Sequence, residues 1–285
     1  MRYASWMQDG RAAFGVARAD NTLVELPSDL AHDQAYWLTP AGFDAALLIA
    51  SRAKSTIQLR DVQLLPPLAK PGKILCVGVN YPDRNAEYKD GAAAPLYPSL
   101  FVRFPGSLVG HGQPLIRPLV SEQFDYEGEI VIVIGTAGRR IPQTKVASHI
   151  AGLTLMNEGS VRDWLRHGKF NVTQGKNFDR SGSVGPWITT LDEAGNLDSL
   201  EITTHVNGEE RQRGNTGTLA FPFARIVEYV STFTTLEAGD MIATGTPTGA
   251  GARFDPPKWL KAGDVVTVSS PTLGTLSNVV ADDVV

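Results

Sequence analysis

The run Ile130-Val131-Ile132-Val133-Ile134 is apolar at every position, and three acids stand at alternate positions just before it, Asp125, Glu127 and Glu129. A strand that presents apolar side chains on both faces has to be covered on both faces. The stretch therefore demands a layered, β-rich fold with this strand inside it. Strand side chains alternate faces, so the three carboxylates share one face at the entrance to that interior. Packed carboxylates repel one another, and burying them unpaired costs several kcal/mol each. A divalent cation removes both penalties, and an all-oxygen donor set selects magnesium, manganese or calcium over zinc. The plainer reading is a solvated strand end with three surface acids. A further carboxylate is expected from elsewhere. Glu158 is well placed, because it ends the apolar run 153–156 and precedes a helix candidate. Taken alone, it reads equally as an acid at a helix N-terminus.

The rest of the chain agrees with an α+β, β-rich class. Residues 2–26 alternate short apolar stretches with Gly10, Gly15 and Asn21, as a meander of short strands does. Residues 41–53 form a helix candidate preceded by Pro40. The segment Leu65-Pro66-Pro67-Leu68-Ala69-Lys70-Pro71-Gly72 breaks regular structure, which predicts a small N-terminal α+β domain over 1–68 and a larger domain over 69–285. Strand candidates in the larger part are 73–79, 130–134, 202–206, 240–244 and 264–268, and helix candidates are 144–149, 159–166 and 223–232. Many short strands joined by Gly- and Pro-rich turns do not read as alternating βαβ units.

Composition excludes several function classes. The net charge of −4 offers no nucleic-acid or anionic-membrane partner. No apolar run approaches the roughly 20 residues of a transmembrane helix, and Met1-Arg2-Tyr3-Ala4-Ser5-Trp6 lacks a signal-peptide core. A cytoplasmic protein is expected. The single cysteine, Cys76, lies in an apolar run and reads as a buried thiol rather than a nucleophile.

Six blocks in order resemble the fumarylacetoacetate hydrolase superfamily. They are Cys76-Val77-Gly78-Val79-Asn80-Tyr81, Asp125-Tyr126-Glu127-Gly128-Glu129, Asn157-Glu158-Gly159-Ser160-Val161-Arg162-Asp163-Trp164, Gly175-Lys176-Asn177-Phe178 with Gly185-Pro186-Trp187, Val206-Asn207-Gly208-Glu209, and Gly239-Asp240-Met241-Ile242-Ala243-Thr244-Gly245-Thr246-Pro247. The resemblance runs from about residue 70 to the C-terminus. It implies a rolled mixed β-fold catalytic domain, a homodimer, and a small 2-oxo or diketo acid as substrate. It also implies a Mg2+ or Mn2+ ion held by Glu127, Glu129 and Glu158. Lys176 would face the substrate carboxylate or enolate oxygen, and Thr246 the carboxylate end of the substrate, while Tyr81, Arg103 and Asn157 would also contact substrate.

Three positions depart from the family pattern. Arg84 stands where hydrolytic members carry a histidine that pairs with the glutamate matched by Glu87. Arginine cannot serve as a neutral base. Glu87 would then act alone as the base, with Arg84 free to bind a second substrate carboxylate, or the two form a surface pair at i, i+3 spacing. Glu158 replaces the aspartate of hydrolase members, and Leu165 replaces a substrate-contacting glutamine, with His167 two residues on as a candidate substitute. The leading expectation is hydrolytic carbon–carbon cleavage of an acylpyruvate-like or diketo sugar acid. The alternative is a hydratase, double-bond isomerase or decarboxylase, and a third class is a non-catalytic binder of oxo acids or metal. The segment 253–260 is a candidate lid.

Overall fold

The computed structural model describes residues 1–27, 34–54, 57–83, 95–168 and 171–284. A 12-stranded mixed sheet forms its frame. Along its main path run Ile57–Gln58, Thr22–Glu25, Arg11–Ala17, Arg2–Gln8, Gly182–Thr190, Ile150–Asn157, Gly128–Ile134, Met241–Ala243, Ile74–Val77 and Leu100–Val102. Most neighbours are antiparallel, but Met241–Ala243 lies parallel to Ile74–Val77. A five-stranded sheet contains Glu209–Asn215, Glu201–Val206, Val265–Ser270, Gly274–Asp282 and Leu115–Arg117. A small ribbon pairs Phe124–Asp125 with Ser160–Val161.

The apolar strand lies where its sequence demands. Gly128–Ile134 bonds to Ile150–Asn157 on one side and to Met241–Ala243 on the other. Its alternate residues enter two different cores. Ile130, Ile132 and Ile134 pack with Val268, Leu276, Ile226 and Val230, and Val131 and Val133 pack with Phe14, Val16, Trp37 and Leu38. Each such fully buried side chain contributes on the order of 1.5–3 kcal/mol by removal of apolar surface from water.

The N-terminal meander occurs as expected. Its first strand pairs both with Arg11–Ala17 and with Gly182–Thr190, so backbone pairing crosses residue 68. The helix Pro40–Arg52 starts where Thr39 Oγ1 accepts from Gly42 N at 3.2 Å and ends in Arg52. The helix Phe223–Phe233 buries Ile226, Val227 and Val230. The helix candidate 144–149 is helical, as the 3-10 helix Gln143–His149. One helix expectation needs correction. Residues 159–166 open with the strand Ser160–Val161 and reach only a single 3-10 turn, Trp164–Arg166. The pull of Phe124–Asp125, which pairs with Ser160–Val161, outweighs local helix propensity there. No helix among the described residues is long and apolar enough to cross a membrane.

Candidate metal centre

Three backbone segments converge on one acidic cluster. Glu127 lies in the break between Phe124–Asp125 and Gly128–Ile134, Glu129 in the latter strand, and Glu158 in the turn that joins Ile150–Asn157 to Ser160–Val161. The turn docks on the first segment through Glu158 N, which donates to Glu127 O at 2.7 Å, while Asn157 Oδ1 accepts from Glu127 N at 3.1 Å. Gly159 makes this approach possible, since a Cβ there would lie 1.8 Å from the Ser181 carbonyl oxygen. The result is that one carboxylate oxygen from each of Glu127, Glu129 and Glu158 lies within 4.8 Å of the others, and all three residues are buried.

Two cations bind the cluster directly. Lys176 Nζ donates to Glu127 Oε2 at 2.5 Å, to Ser160 Oγ at 2.7 Å and to Glu158 Oε2 at 3.0 Å. Arg162 spans Asp125 Oδ2 and Glu127 Oε1, both at 2.7 Å. Burial opposes the charge of each, but Glu127 with Glu158 outweighs it at Lys176, and Glu127 with Asp125 at Arg162, so both pKa values rise. Both side chains are therefore fixed positive charges. Asp125 faces Arg162 rather than the three-glutamate cluster, and it also accepts from Gly251 N at 2.7 Å and Ala252 N at 3.0 Å.

Glu129 has a different environment. Burial, reinforced by Glu158 and Glu127, pushes its carboxyl well above the ordinary range. Its Oε2 accepts from Gly245 N at 2.8 Å. That contact requires the left-handed φ of +99° at Gly245, where a Cβ would also lie 2.8 Å from that of Asn80. Among the described residues Glu158 Oε1 is buried and accepts no N–H or O–H hydrogen bond, although the Cys76 thiol lies against this carboxylate. Such a buried carboxylate oxygen, beside two more carboxylates, is the donor set that a hard dication satisfies. The residues present thus fit Mg2+ or Mn2+.

A cavity of about 390 Å³ opens beside this cluster, lined by Glu127, Arg162, Lys176, Phe101, Leu165 and Thr173 among others. Phe101 lies beneath the ammonium, with Lys176 Nζ 5.3 Å from the ring centroid. Leu165 makes the wall locally apolar, as its substitution for glutamine implied. His167 does not compensate for it, being exposed against the Trp164 ring at 4.4 Å. Cys76 is buried, as expected.

The remaining expected site residues are distributed unevenly. Thr246 follows the Gly245 contact and is buried, Tyr81 lines a separate cavity of about 310 Å³ with Gly214 and Pro247, and neither is on the wall of the 390 Å³ cavity. Burial, with Glu129 second, raises the Tyr81 pKa. Arg103 is not on the wall of the 390 Å³ cavity. Its guanidinium lies beneath the Glu158 turn, donating to Gly159 O at 2.9 Å, Ser107 Oγ at 3.1 Å and Ser181 Oγ at 3.3 Å. Asn157 likewise supports Glu127 from behind. The candidate lid 253–260 does not line that cavity, and Phe254 packs under Arg211 and Lys258. Arg84 and Glu87 lie outside the described residues. Sequence reading missed Arg162 and Ser160. Both stand within a quoted block, which was the available signal.

Comparison with known proteins follows the same lines. The family model Fumarylacetoacetate (FAA) hydrolase C-terminal matches residues 73–281. An oxaloacetate tautomerase of Bacillus subtilis (strain 168) is 39% identical over 223 residues, covering 77% of this chain and 73% of that protein. A mitochondrial oxaloacetate tautomerase of Homo sapiens is 37% identical over 241 residues, covering 82% and 76%. The crystal structure of a probable 2-hydroxyhepta-2,4-diene-1,7-dioate isomerase from Mycobacterium abscessus superposes with a TM-score of 0.82 at 31% identity, covering 100% of both chains.

Proposed function

The chain belongs to the fumarylacetoacetate hydrolase family, and on that premise we propose that it is a divalent-metal-dependent enzyme that interconverts the keto and enol forms of a short 2-oxo acid. The observation that carries this reading is the buried Glu127–Glu129–Glu158 cluster with the Lys176 ammonium on its cavity side. A hard dication at that cluster supplies the positive charge that favours an enolate over its keto form.

The protein's own groups have separate tasks. Glu127, Glu129 and Glu158 hold the ion, and Ser160 and the two glutamates fix the Lys176 ammonium at the cavity wall. From there Lys176 stabilises negative charge on the substrate oxygen. Held by Glu127, Glu158 and Ser160, its ammonium acts as an electrostatic group rather than a base. As the family resemblance implies, Thr246 binds the substrate carboxylate and Tyr81 also contacts the substrate. Glu87 moves the proton between carbon and oxygen, and Arg84 binds a second carboxylate. The cavity volume suits a small acid. The proposed assembly is a homodimer, with residues 1–68 as a small domain beside 69–285.

Enolisation replaces the hydrolytic cleavage expected from sequence, and it was not among the alternatives expected there, hydration, double-bond isomerisation and decarboxylation. Two relatives above 35% identity are oxaloacetate tautomerases, and Arg84 removes the histidine of the water-activating pair. The test follows the ultraviolet enol band of oxaloacetate with the purified protein. Faster approach to keto–enol equilibrium, dependent on Mg2+ or Mn2+ and lost in EDTA, supports the reading. Release of free pyruvate and a carboxylic acid from an acylpyruvate, with no tautomerisation, would replace it with hydrolysis.

A further inference from the structure

Resting on the oxo-acid reading above, we propose that Gln212 is a positioning residue that makes the Thr246 hydroxyl a hydrogen-bond donor to the substrate carboxylate. The contacts begin at Gly128, next to the acid Glu129. A backbone N–H can only donate, and that of Gly128 donates to the Gln212 side chain at 2.9 Å. The atom facing it is therefore the amide oxygen Oε1, and the far end of the amide is its NH2 group. Nε2 reaches Thr246 Oγ1 at 2.8 Å and Pro247 O at 2.9 Å, which uses both of its hydrogens.

Thr246 Oγ1 is thus an acceptor toward Gln212. A hydroxyl has one hydrogen, and among the described residues no hydrogen bond takes it. That hydrogen points away from Gln212. The turn that carries it is anchored at the acid cluster by Gly245 N on Glu129 Oε2. It is also packed hard against the five-stranded sheet, where a Cβ at Gly214 would lie 2.9 Å from both Pro247 and Tyr81. Gln212 is 1% exposed and Thr246 2% exposed, so neither side chain can swing out to solvent. A fixed donor next to a cation site selects a ligand with an ionised carboxylate beside its carbonyl over the corresponding ester, because a hydrogen bond to a charged acceptor is roughly twice as strong. Gln212 touches no substrate. It acts by setting which way the threonine hydrogen points.

Gln212→Glu tests this, since it keeps the length and the acceptor for Gly128 but removes both amide hydrogens. The Thr246 hydrogen then turns toward the introduced carboxylate. Calorimetry on the Mn2+-loaded protein measures oxalate binding, and titration of the metal-free protein measures Mn2+ binding. Oxalate affinity is expected to fall about ten- to a hundredfold in Gln212→Glu and in Thr246→Val. Thr246→Ser should retain it, and the double variant should be within about twofold of either single variant. Mn2+ affinity should change far less than oxalate affinity in all of them, because Gln212 and Thr246 bond to Gly128 N, Pro247 O and each other and to no carboxylate of the cluster. Additive losses in the double variant, equal losses of Mn2+ and oxalate binding, or unchanged oxalate binding in Gln212→Glu each overturn the proposal. Gln212→Met replaces Gln212→Glu if thermal melting shows that the latter does not fold. If the unaltered protein binds Mn2+ but not oxalate, the oxo-acid reading itself falls and takes the Gln212 inference with it. If oxalate binds normally and only the Gln212 variants fail to respond, that reading survives alone.

Discussion

Two concave regions of the molecule differ in an instructive way. The larger is a cleft of about 990 Å³ between the N-terminal meander and the body, lined by Asp20, Gln58, Arg60, His111 and Trp187 among others. The smaller is the 390 Å³ cavity at Lys176. In the cleft, charged groups are spread out or engaged locally. Asp20 accepts from Thr22 N at 3.1 Å and Oγ1 at 2.7 Å, and burial lowers the His111 pKa while its Nδ1 accepts from Ser277 N at 3.2 Å. The Arg60 side chain is 84% exposed. At the cavity, by contrast, three buried carboxylates, Asp125, Glu127 and Glu158, pair with Arg162 and Lys176, and buried Glu129 lies beside them. Volume is thus a poor guide to chemistry here. Crowded buried charge is costly to maintain for packing alone, which supports the cluster as the proposed site.

Substitutions can break or sharpen this contrast. The largest effect is expected for Glu127→Ala. Mn2+ affinity, read by calorimetry, should fall by more than the roughly 10–100-fold typical when only a group behind a metal ligand is lost, and turnover should vanish with it. Arg162→Ala removes the partner of Asp125 and Glu127 and should lower unfolding free energy by about 3–5 kcal/mol in urea melts. A loss below about 1 kcal/mol would place that pair in the class of solvent-screened surface pairs. Lys176→Met should lower kcat by about 10²–10³, the usual effect of deleting one group that stabilises developing negative charge. The smallest effects belong to the larger cleft. Arg60→Ala and Gln63→Ala should shift stability by no more than about 0.5 kcal/mol and leave turnover unchanged. If either cut turnover as deeply as Lys176→Met, charge crowding would no longer distinguish the two regions.

The readable parts of the sequence were those where one pattern dominates. The run 130–134 could only be an interior strand, and it is one. Glu127, Glu129 and Glu158 were placed together by family resemblance, and they meet. The failures have a common cause in tertiary contacts. Residues 159–166 carry helix-compatible side chains but are captured as strand by Phe124–Asp125. Glu209–Asn215 is too polar to look like a strand, yet pairing with Glu201–Val206 makes it one and buries Gln212 among charged neighbours. Arg103 was expected at the cavity wall because the family resemblance puts a basic residue there. Only the fold reveals the carbonyl and hydroxyls that occupy its guanidinium.

The placement of Gly128–Ile134 between two hydrogen-bonded neighbours has a dynamic consequence. Amide hydrogens there can exchange with solvent only when most of the sheet opens, so this strand should rank among the slowest-exchanging segments of the chain. Glu129 belongs to that strand, and Glu127 immediately precedes it. Two of the three carboxylates are therefore anchored to the stiffest part of the protein. Their spacing is fixed before any ion arrives, and association with a cation needs little further loss of chain freedom.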